Sequence, residues 1–339
     1  MTKGMLRDAA RRILDESPDA PVRVRLLRDV LQRPADDPEL QSAVAALDDS
    51  PKVQVLAQEQ RADGSWGRLH TVDYAAKQKI PTTALGVEPA VELGLPAEHP
   101  ALRKVRGYLE GILAGRAKVP NRAEKHENWP TGVSMFAASP LCRFAPESPA
   151  LDQTRGFWSA VLRRSFARGR YDQQAELKTH QDLLGRSGEP GWLRLHSMHA
   201  VAILGSRAAE LPAAVQRAYV RWLWHDCPKG LIYFDVPFQR PLNELRGYAL
   251  HGWLTSLELI SGFPCSRRLA RPALAELDPK QAKNNAPPPG CNRGEVGAKR
   301  RWLAAAAARI RGAGLSVGHG VSPRGLRVAA DRGVRTPTS

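Results

Sequence analysis

The chain has 339 residues, of which 42% are hydrophobic and 25% charged, a composition typical of a globular protein with a sizeable core. No apolar run approaches the roughly 20 residues of a membrane-spanning helix, and the first residues lack the uninterrupted apolar stretch of a secretory signal. The sequence therefore predicts a cytoplasmic protein without a membrane span.

The net charge of +16 is unevenly distributed along the chain. Residues 281–339 hold eleven Lys and Arg against Glu295 and Asp331, so nine of the sixteen positive charges belong to this tail. An Asn-Asn-Ala-Pro-Pro-Pro-Gly linker begins at Asn284, and large apolar residues are sparse beyond one short alanine-rich segment. We predict a basic, mostly disordered tail. An arm that contacts nucleic acid or acidic lipid is the alternative, which we do not favour.

Residues 1–48 contain two amphipathic segments, at 3–16 and 21–32, with apolar residues at helical spacing. We expect them to form helices that pack on the remainder of the protein. Alternation typical of a strand is confined to the run from Leu231 to Phe234, which is either a short strand or a buried loop.

Residues 49–280 carry an internal repeat of two helices. Proline stands at a predicted first helical position about every 50 to 60 residues, where its missing N–H costs nothing. These prolines are Pro51, Pro100, Pro149 and Pro212. Each unit continues with a loop that carries an aromatic residue: Trp66, Trp129, Trp192 and Tyr233. A second, more apolar helix follows each loop, near 81–93, 130–144, 193–204 and 243–260, and an extra helix is predicted at 171–184. Such a period predicts a solenoid or closed toroid of helical hairpins.

Four residues of the first unit, Leu56, Gln60, Gly64 and Trp66, fit the pattern Leu-x3-Gln-x3-Gly-x-Trp. We expect Gln60 to hydrogen-bond backbone at the start of the next helix. Gly64 permits a tight reversal, and the Trp66 ring covers the turn. The motif resembles the QW repeat of squalene and hopene cyclases, which protein prenyltransferase β subunits share in a looser form.

The resemblance covers residues 50–277 and implies an all-α protein of the terpenoid cyclase and protein prenyltransferase superfamily. The expected fold is an incomplete or single α/α toroid with an N-terminal helical extension. The expected ligand is an isoprenoid or lipid-like molecule in the central cavity. The sequence lacks the Asp-x-Asp-Asp acid motif of the cyclases and the magnesium-binding Asp-Asp-x-x-Asp cluster, and only 6% of its residues are aromatic. It does not identify a reaction or a cofactor.

We expect no metal site. The strongest alternative is a zinc set of His225, Asp226 and Cys227 with His251, because prenyltransferases hold zinc with these residue types. Adjacent helical residues point in different directions, so an ordinary helix terminus is the favoured interpretation. The pair His196 and His199 is a weaker alternative, since no third ligand lies near it in sequence.

The loops between first and second helices of a toroid open on one face, where a ligand funnel lies. In the first such loop, His70 and Asp73 are able to form an acid–base pair, and Lys77 and Lys79 to hold an anion beside a helix N-terminus. A solvated loop is the competing interpretation. Later units place other residues at equivalent positions. The candidate catalytic residues are His70, Asp73, Glu127 and Glu244; the candidate ligand-binding residues are Trp66, Arg68, Lys77, Lys79, Trp129 and Arg246.

Two other functions stay open on the sequence alone. The missing acid motifs favour a non-catalytic toroid that binds a ligand or a protein partner. Carboxylates across the mouth of the funnel are typical of a carbohydrate-active α/α-toroid enzyme.

Overall fold

The computed structural model describes residues 3–71, 77–117, 119, 129–185 and 191–276. Within these ranges the regular structure is helical, and the extended pairing consists of two isolated bridges, Arg68 with Thr82 and Ser197 with Ile232. No helix in this part of the chain has the length and apolar character needed to cross a bilayer. The predicted basic tail lies outside the described residues.

The N-terminal segment forms α1 (Lys3–Asp15) and α2 (Ala20–Arg25), and α2 continues into a π-helical turn at Leu26–Val30. A further helix, α3 (Pro38–Ala45), begins at Asp37, whose carboxylate accepts hydrogen bonds from the next turn. Sequence patterning did not predict α3. The segment belongs to the same hydrophobic core as the repeats, and the Arg28 guanidinium donates to the Gly94 carbonyl at 3.0 Å.

The first helix of each repeat begins at a predicted proline or within three residues after it. These helices are α4 (Pro51–Glu59), α6 (Pro100–Leu113), α8 (Asp152–Ser165) and α11 (Ala213–His225). A short 3-10 turn, Pro149–Leu151, precedes α8, and α11 starts one residue after its proline. A fifth such helix, α13 (Arg267–Glu276), follows a 3-10 turn at Pro264–Ser266. The proline prediction is confirmed.

The second helices are α5 (Thr83–Glu92), α7 (Trp129–Leu141), α10 (Met198–Ser206) and α12 (Gly247–Ile260). The predicted extra helix is α9 (Gln173–Leu184). The second helices α10 and α12 start later than predicted. The reason is that Leu193, Leu195 and Leu245, which look like helical core residues, are buried in loops. An apolar residue signals burial, whichever backbone conformation carries it.

Neighbouring second helices contact one another in chain order: α5 packs on α7, α7 on α10, and α10 on α12. The first helices α4 and α6 pack on the second helices of their own units, while α8 contacts both α7 and α10. Arg143 follows the C-terminal end of α7. It forms ion pairs with Glu88 of α5, at 3.7 Å, and with Glu258 of α12, at 3.4 Å. Arg143 therefore links the first and last second helices.

The Gln60 corner has the contacts that its pattern predicts. The Gln60 amide donates to the carbonyl of Gly64 at 3.0 Å and to that of Ala101, in the first turn of α6, at 2.8 Å. Gly64 adopts a left-handed φ of 88°. The Trp66 indole is fully buried, donates to the Leu56 carbonyl at 2.8 Å, and lies directly against Gly86 of α5.

Candidate functional site

Aromatic rings from four successive units meet, from the loops before the second helices and from α7 and α10 themselves. The His70 ring stacks on Phe136 of α7, with ring centroids 3.6 Å apart, and Phe136 stacks on Trp192 at 4.9 Å. His199 of α10 meets Phe136 edge-on at 5.1 Å, and Tyr233 meets His199 edge-on at 5.4 Å. We call these five residues the aromatic cluster. Its outer side reaches solvent at Tyr233, which is 37% exposed.

Backbone pairing holds the His70 loop against the start of α5. The first N–H groups of a helix have no partner within the helix. Here the Thr83 N–H donates to the Arg68 carbonyl at 2.7 Å, and the Ala84 N–H donates to the Leu69 carbonyl at 3.1 Å. His70 follows directly after these two carbonyls, so its position is set by the helix start.

A buried carboxylate on α9 anchors the loop that carries Trp192. Glu176 is fully buried and accepts hydrogen bonds from the Tyr171 hydroxyl at 2.5 Å and from the Leu195 N–H at 2.7 Å. Burial raises the pKa of Glu176. Ser197 then caps α10 and accepts from the His199 N–H at 3.3 Å. The extra helix of the third unit thus positions two members of the aromatic cluster.

Tyr233 belongs to an irregular loop, which answers the question of strand or loop left open for residues 231–234. The Ile232 N–H donates to the His196 carbonyl at 2.9 Å. Tyr233 itself has a φ of 84°, a conformation that costs a bulky residue about 1–3 kcal/mol. The Tyr248 hydroxyl donates to the Tyr233 carbonyl at 2.8 Å. In this conformation the Tyr233 hydroxyl lies 3.4 Å from Nε2 of His70.

The titratable members of the aromatic cluster are uncharged near neutral pH. Burial lowers the pKa of His70 to about 4, and burial together with the neighbouring His70 lowers the pKa of His199 to about 3. Burial raises the pKa of Tyr233 to about 12. The cluster is therefore a neutral aromatic surface that retains hydrogen-bonding nitrogen and hydroxyl groups.

His199 is the unusual member. Its side chain is buried, with 5% of the residue exposed, and neither ring nitrogen has a hydrogen-bond partner in the part of the chain that the structure describes. A buried polar group without a partner costs about 1–3 kcal/mol. In native proteins such a group calls for an explanation, such as a bound molecule or a functional role.

Of the candidate catalytic residues, His70 alone is a member of the aromatic cluster. Asp73 and Glu127 lie outside the described residues. Glu244 is exposed and pairs with Arg240 at 3.9 Å.

The candidate ligand-binding residues differ in exposure and in their contacts. Trp66 has no exposed surface, so its side chain does not line a solvent-accessible surface, and its contacts are those of the helix corner. Arg68 is half-buried, Lys77 and Lys79 are exposed, and the Lys79 backbone N–H donates to Glu59 at 3.2 Å. Trp129 is the first residue of α7, and its side chain lies outside the described set. Arg246, exposed before α12, donates to the Leu245 carbonyl at 2.7 Å.

The histidines and cysteines that suggested zinc do not converge. His225 and Asp226 are exposed, whereas Cys227 is buried and its thiol donates to the Gly230 carbonyl at 3.1 Å. Over the described ranges, no three His, Cys, Asp or Glu side chains are grouped so as to hold a metal ion.

The structure thus shows a helical protein with a neutral aromatic cluster. Compared with known proteins, the chain matches no family model, no curated protein and no solved structure.

Proposed function

We propose that the helical hairpins form an α/α toroid and that this toroid binds an isoprenoid, or a similarly apolar and unsaturated molecule, against the aromatic cluster. The toroid is supported by the chain-order contacts of α5, α7, α10 and α12. The ion pairs of Arg143 with Glu88 and Glu258 give a further reason, since they join the two ends of that row. It is also supported by the corner contacts of Gln60 and Trp66, whose side chains donate to the Ala101 and Leu56 carbonyls.

The convergence of rings from four units on one place is the observation that carries the ligand proposal. A repeat protein that only needs a core is free to fill it with aliphatic residues. Here His70, Phe136, Trp192 and Tyr233 instead present π faces and edges to one another, and part of this surface reaches solvent. Aromatic faces offer large contact area and favourable geometry to unsaturated chains.

The same chemistry favours binding over cyclisation. Protonating an alkene needs a strong acid, and none of the titratable groups of the cluster is one. His70 and His199 are neutral because their pKa values are lowered, and the raised pKa of Tyr233 keeps its proton bound. We therefore propose a binding toroid related in architecture, but not in reaction, to the cyclases it resembles.

Isothermal titration of the purified protein with farnesol and geranylgeraniol tests the proposal. We expect saturable binding that weakens by about 2- to 12-fold in Trp192→Leu, since loss of one aromatic contact costs about 0.5–1.5 kcal/mol. The matched control is Trp224→Leu, because Trp224 is buried outside the cluster and stacks on Phe238 at 5.0 Å. The absence of saturable binding to the wild-type protein, or equal losses in the two variants, would contradict the proposal.

A further inference from the structure

We propose that the ligand is an uncharged alcohol whose hydroxyl group hydrogen-bonds the imidazole of His199. This inference rests on the proposed function and narrows its ligand class from isoprenoids in general to neutral molecules with a hydroxyl group on an apolar, unsaturated body.

The first step of the argument is the position of His199 within the aromatic cluster. Its ring meets Phe136, His70 and Tyr233 edge-on, with centroids 5.1, 5.5 and 5.4 Å away. Both ring nitrogens of His199 are buried and lack hydrogen-bond partners within the described residues. A leucine or phenylalanine would fill this space without leaving two polar atoms unsatisfied, so the histidine has a cost that packing does not explain.

The second step concerns the kind of group that satisfies a neutral imidazole. In a neutral imidazole, one nitrogen carries a proton and donates a hydrogen bond, while the other nitrogen accepts a hydrogen bond. Either tautomer is available to His199. A hydroxyl group either donates to the bare nitrogen or accepts from the N–H, so in either tautomer it pairs with whichever one of the two nitrogens it reaches. A ketone or ether oxygen suits one nitrogen, and a hydrocarbon suits neither.

The third step excludes an anionic head group. A phosphate or diphosphate at this place needs positive charge to offset its desolvation. Within the cluster, the imidazoles of His70 and His199 are neutral and the Tyr233 hydroxyl is uncharged. Of the cations in the neighbouring loops, Lys77 and Lys79 are exposed, so their charges are screened by solvent. Arg194 lies 3.9 Å from the buried Glu176 carboxylate, which offsets its charge, and the half-buried Arg68 is not a member of the cluster. A neutral alcohol avoids the desolvation cost of a charged group and still pairs with one ring nitrogen of His199.

The test compares three molecules that share one carbon skeleton: farnesol, the hydrocarbon farnesene, and farnesyl diphosphate. Dissociation constants are measured by isothermal titration for the wild-type protein, His199→Leu and His180→Leu. His180 is a matched control because it is also buried, at 1% exposed, with both ring nitrogens without a hydrogen bond. Its ring contacts are with Phe157 and Trp158 rather than with the aromatic cluster, and its Nε2 lies 3.9 Å from the Glu176 carboxylate, beyond hydrogen-bond distance.

We expect the wild-type protein to bind farnesol about 10-fold more tightly than farnesene, the factor that one net hydrogen bond to a buried group supplies. Farnesyl diphosphate is expected to bind more weakly than farnesol. In His199→Leu the preference for farnesol over farnesene disappears while farnesene binding is retained. In His180→Leu the preference stays.

Several results would overturn the inference. Equal binding of farnesol and farnesene to the wild-type protein, or tightest binding of the diphosphate, contradicts the hydroxyl contact but leaves the proposed function standing. If none of the three molecules binds, the proposed function itself is wrong. If His199→Leu does not fold, the ¹⁵N chemical shifts of the wild-type His199 imidazole decide the matter. They must change on addition of farnesol and stay unchanged on addition of farnesene.

Discussion

Replacing Gln60 with alanine removes the contact that ties the first helical hairpin to the second. The Gln60 amide donates to the carbonyls of Gly64, at 3.0 Å, and Ala101, at 2.8 Å. Each such hydrogen bond contributes about 0.5–1.5 kcal/mol net, so Gln60→Ala is expected to lower the free energy of unfolding by about 1–3 kcal/mol. Gln60→Glu must lose at least as much at pH 8, because a carboxylate has no proton to donate to either carbonyl.

Urea unfolding followed by far-ultraviolet circular dichroism measures these changes. Gln58→Ala is the control, since Gln58 lies on the same helix and is exposed; its effect is expected to stay within about 0.5 kcal/mol. If Gln60→Ala is no more destabilising than Gln58→Ala, the corner is held by packing alone. The structural interpretation of the motif would then be refuted.

Three further substitutions test other parts of the structure. Burial and the nearby Glu88 raise the pKa of Glu92 to about 7, so the folded state binds a proton more tightly than the unfolded state between about pH 4.5 and 7. Stability therefore falls as pH rises through this window. Urea unfolding at pH 4.5 and at pH 8 measures how far the free energy of unfolding falls between the two. Glu92→Gln should reduce that difference by up to about 3 kcal/mol, and a difference equal to that of the wild-type protein would contradict the prediction. Gly86→Ala places a methyl group 2.4 Å from the Trp66 ring and should lower the melting temperature, whereas Gly107→Ala, with open space around it, should not. Tyr233→Gly relieves the positive φ, worth about 1–3 kcal/mol, but removes two edge-on ring contacts worth about 0.5–1.5 kcal/mol each, so the melting temperature should change little while farnesol binding weakens. A variant that loses stability and keeps its affinity would contradict both roles.

The helix starts were predictable because they depend on local chemistry. A proline at the first helical position needs no tertiary contact to favour a helix there, and Pro51 and Pro100 begin their helices as predicted. The Gln60 corner was predictable for a related reason, since an exposed helix end needs hydrogen-bond partners whatever the fold. The starts of α10 and α12 were placed too early, because buried leucines in loops look like helical ones.

The aromatic cluster was only partly predictable. Trp192 and Tyr233 were recognised as loop aromatics, and His70 as a residue near the mouth. Phe136 and His199 were missed as cluster members because each lies on an apolar helix, where a sequence pattern does not distinguish a core residue from one that faces other units. The left-handed backbone of Tyr233 has no sequence signal either, since bulky residues rarely adopt it.

The place of ligand contact is the central claim, and photoaffinity labelling tests it most directly. A farnesol analogue with a diazirine on its chain is cross-linked to the wild-type protein, and the modified peptides are mapped by mass spectrometry. We predict saturable labelling, competed by unmodified farnesol, on the segments that carry His70, Phe136, Trp192, His199 and Tyr233. Competable labelling confined to other segments, or labelling that farnesol does not compete, would contradict the account.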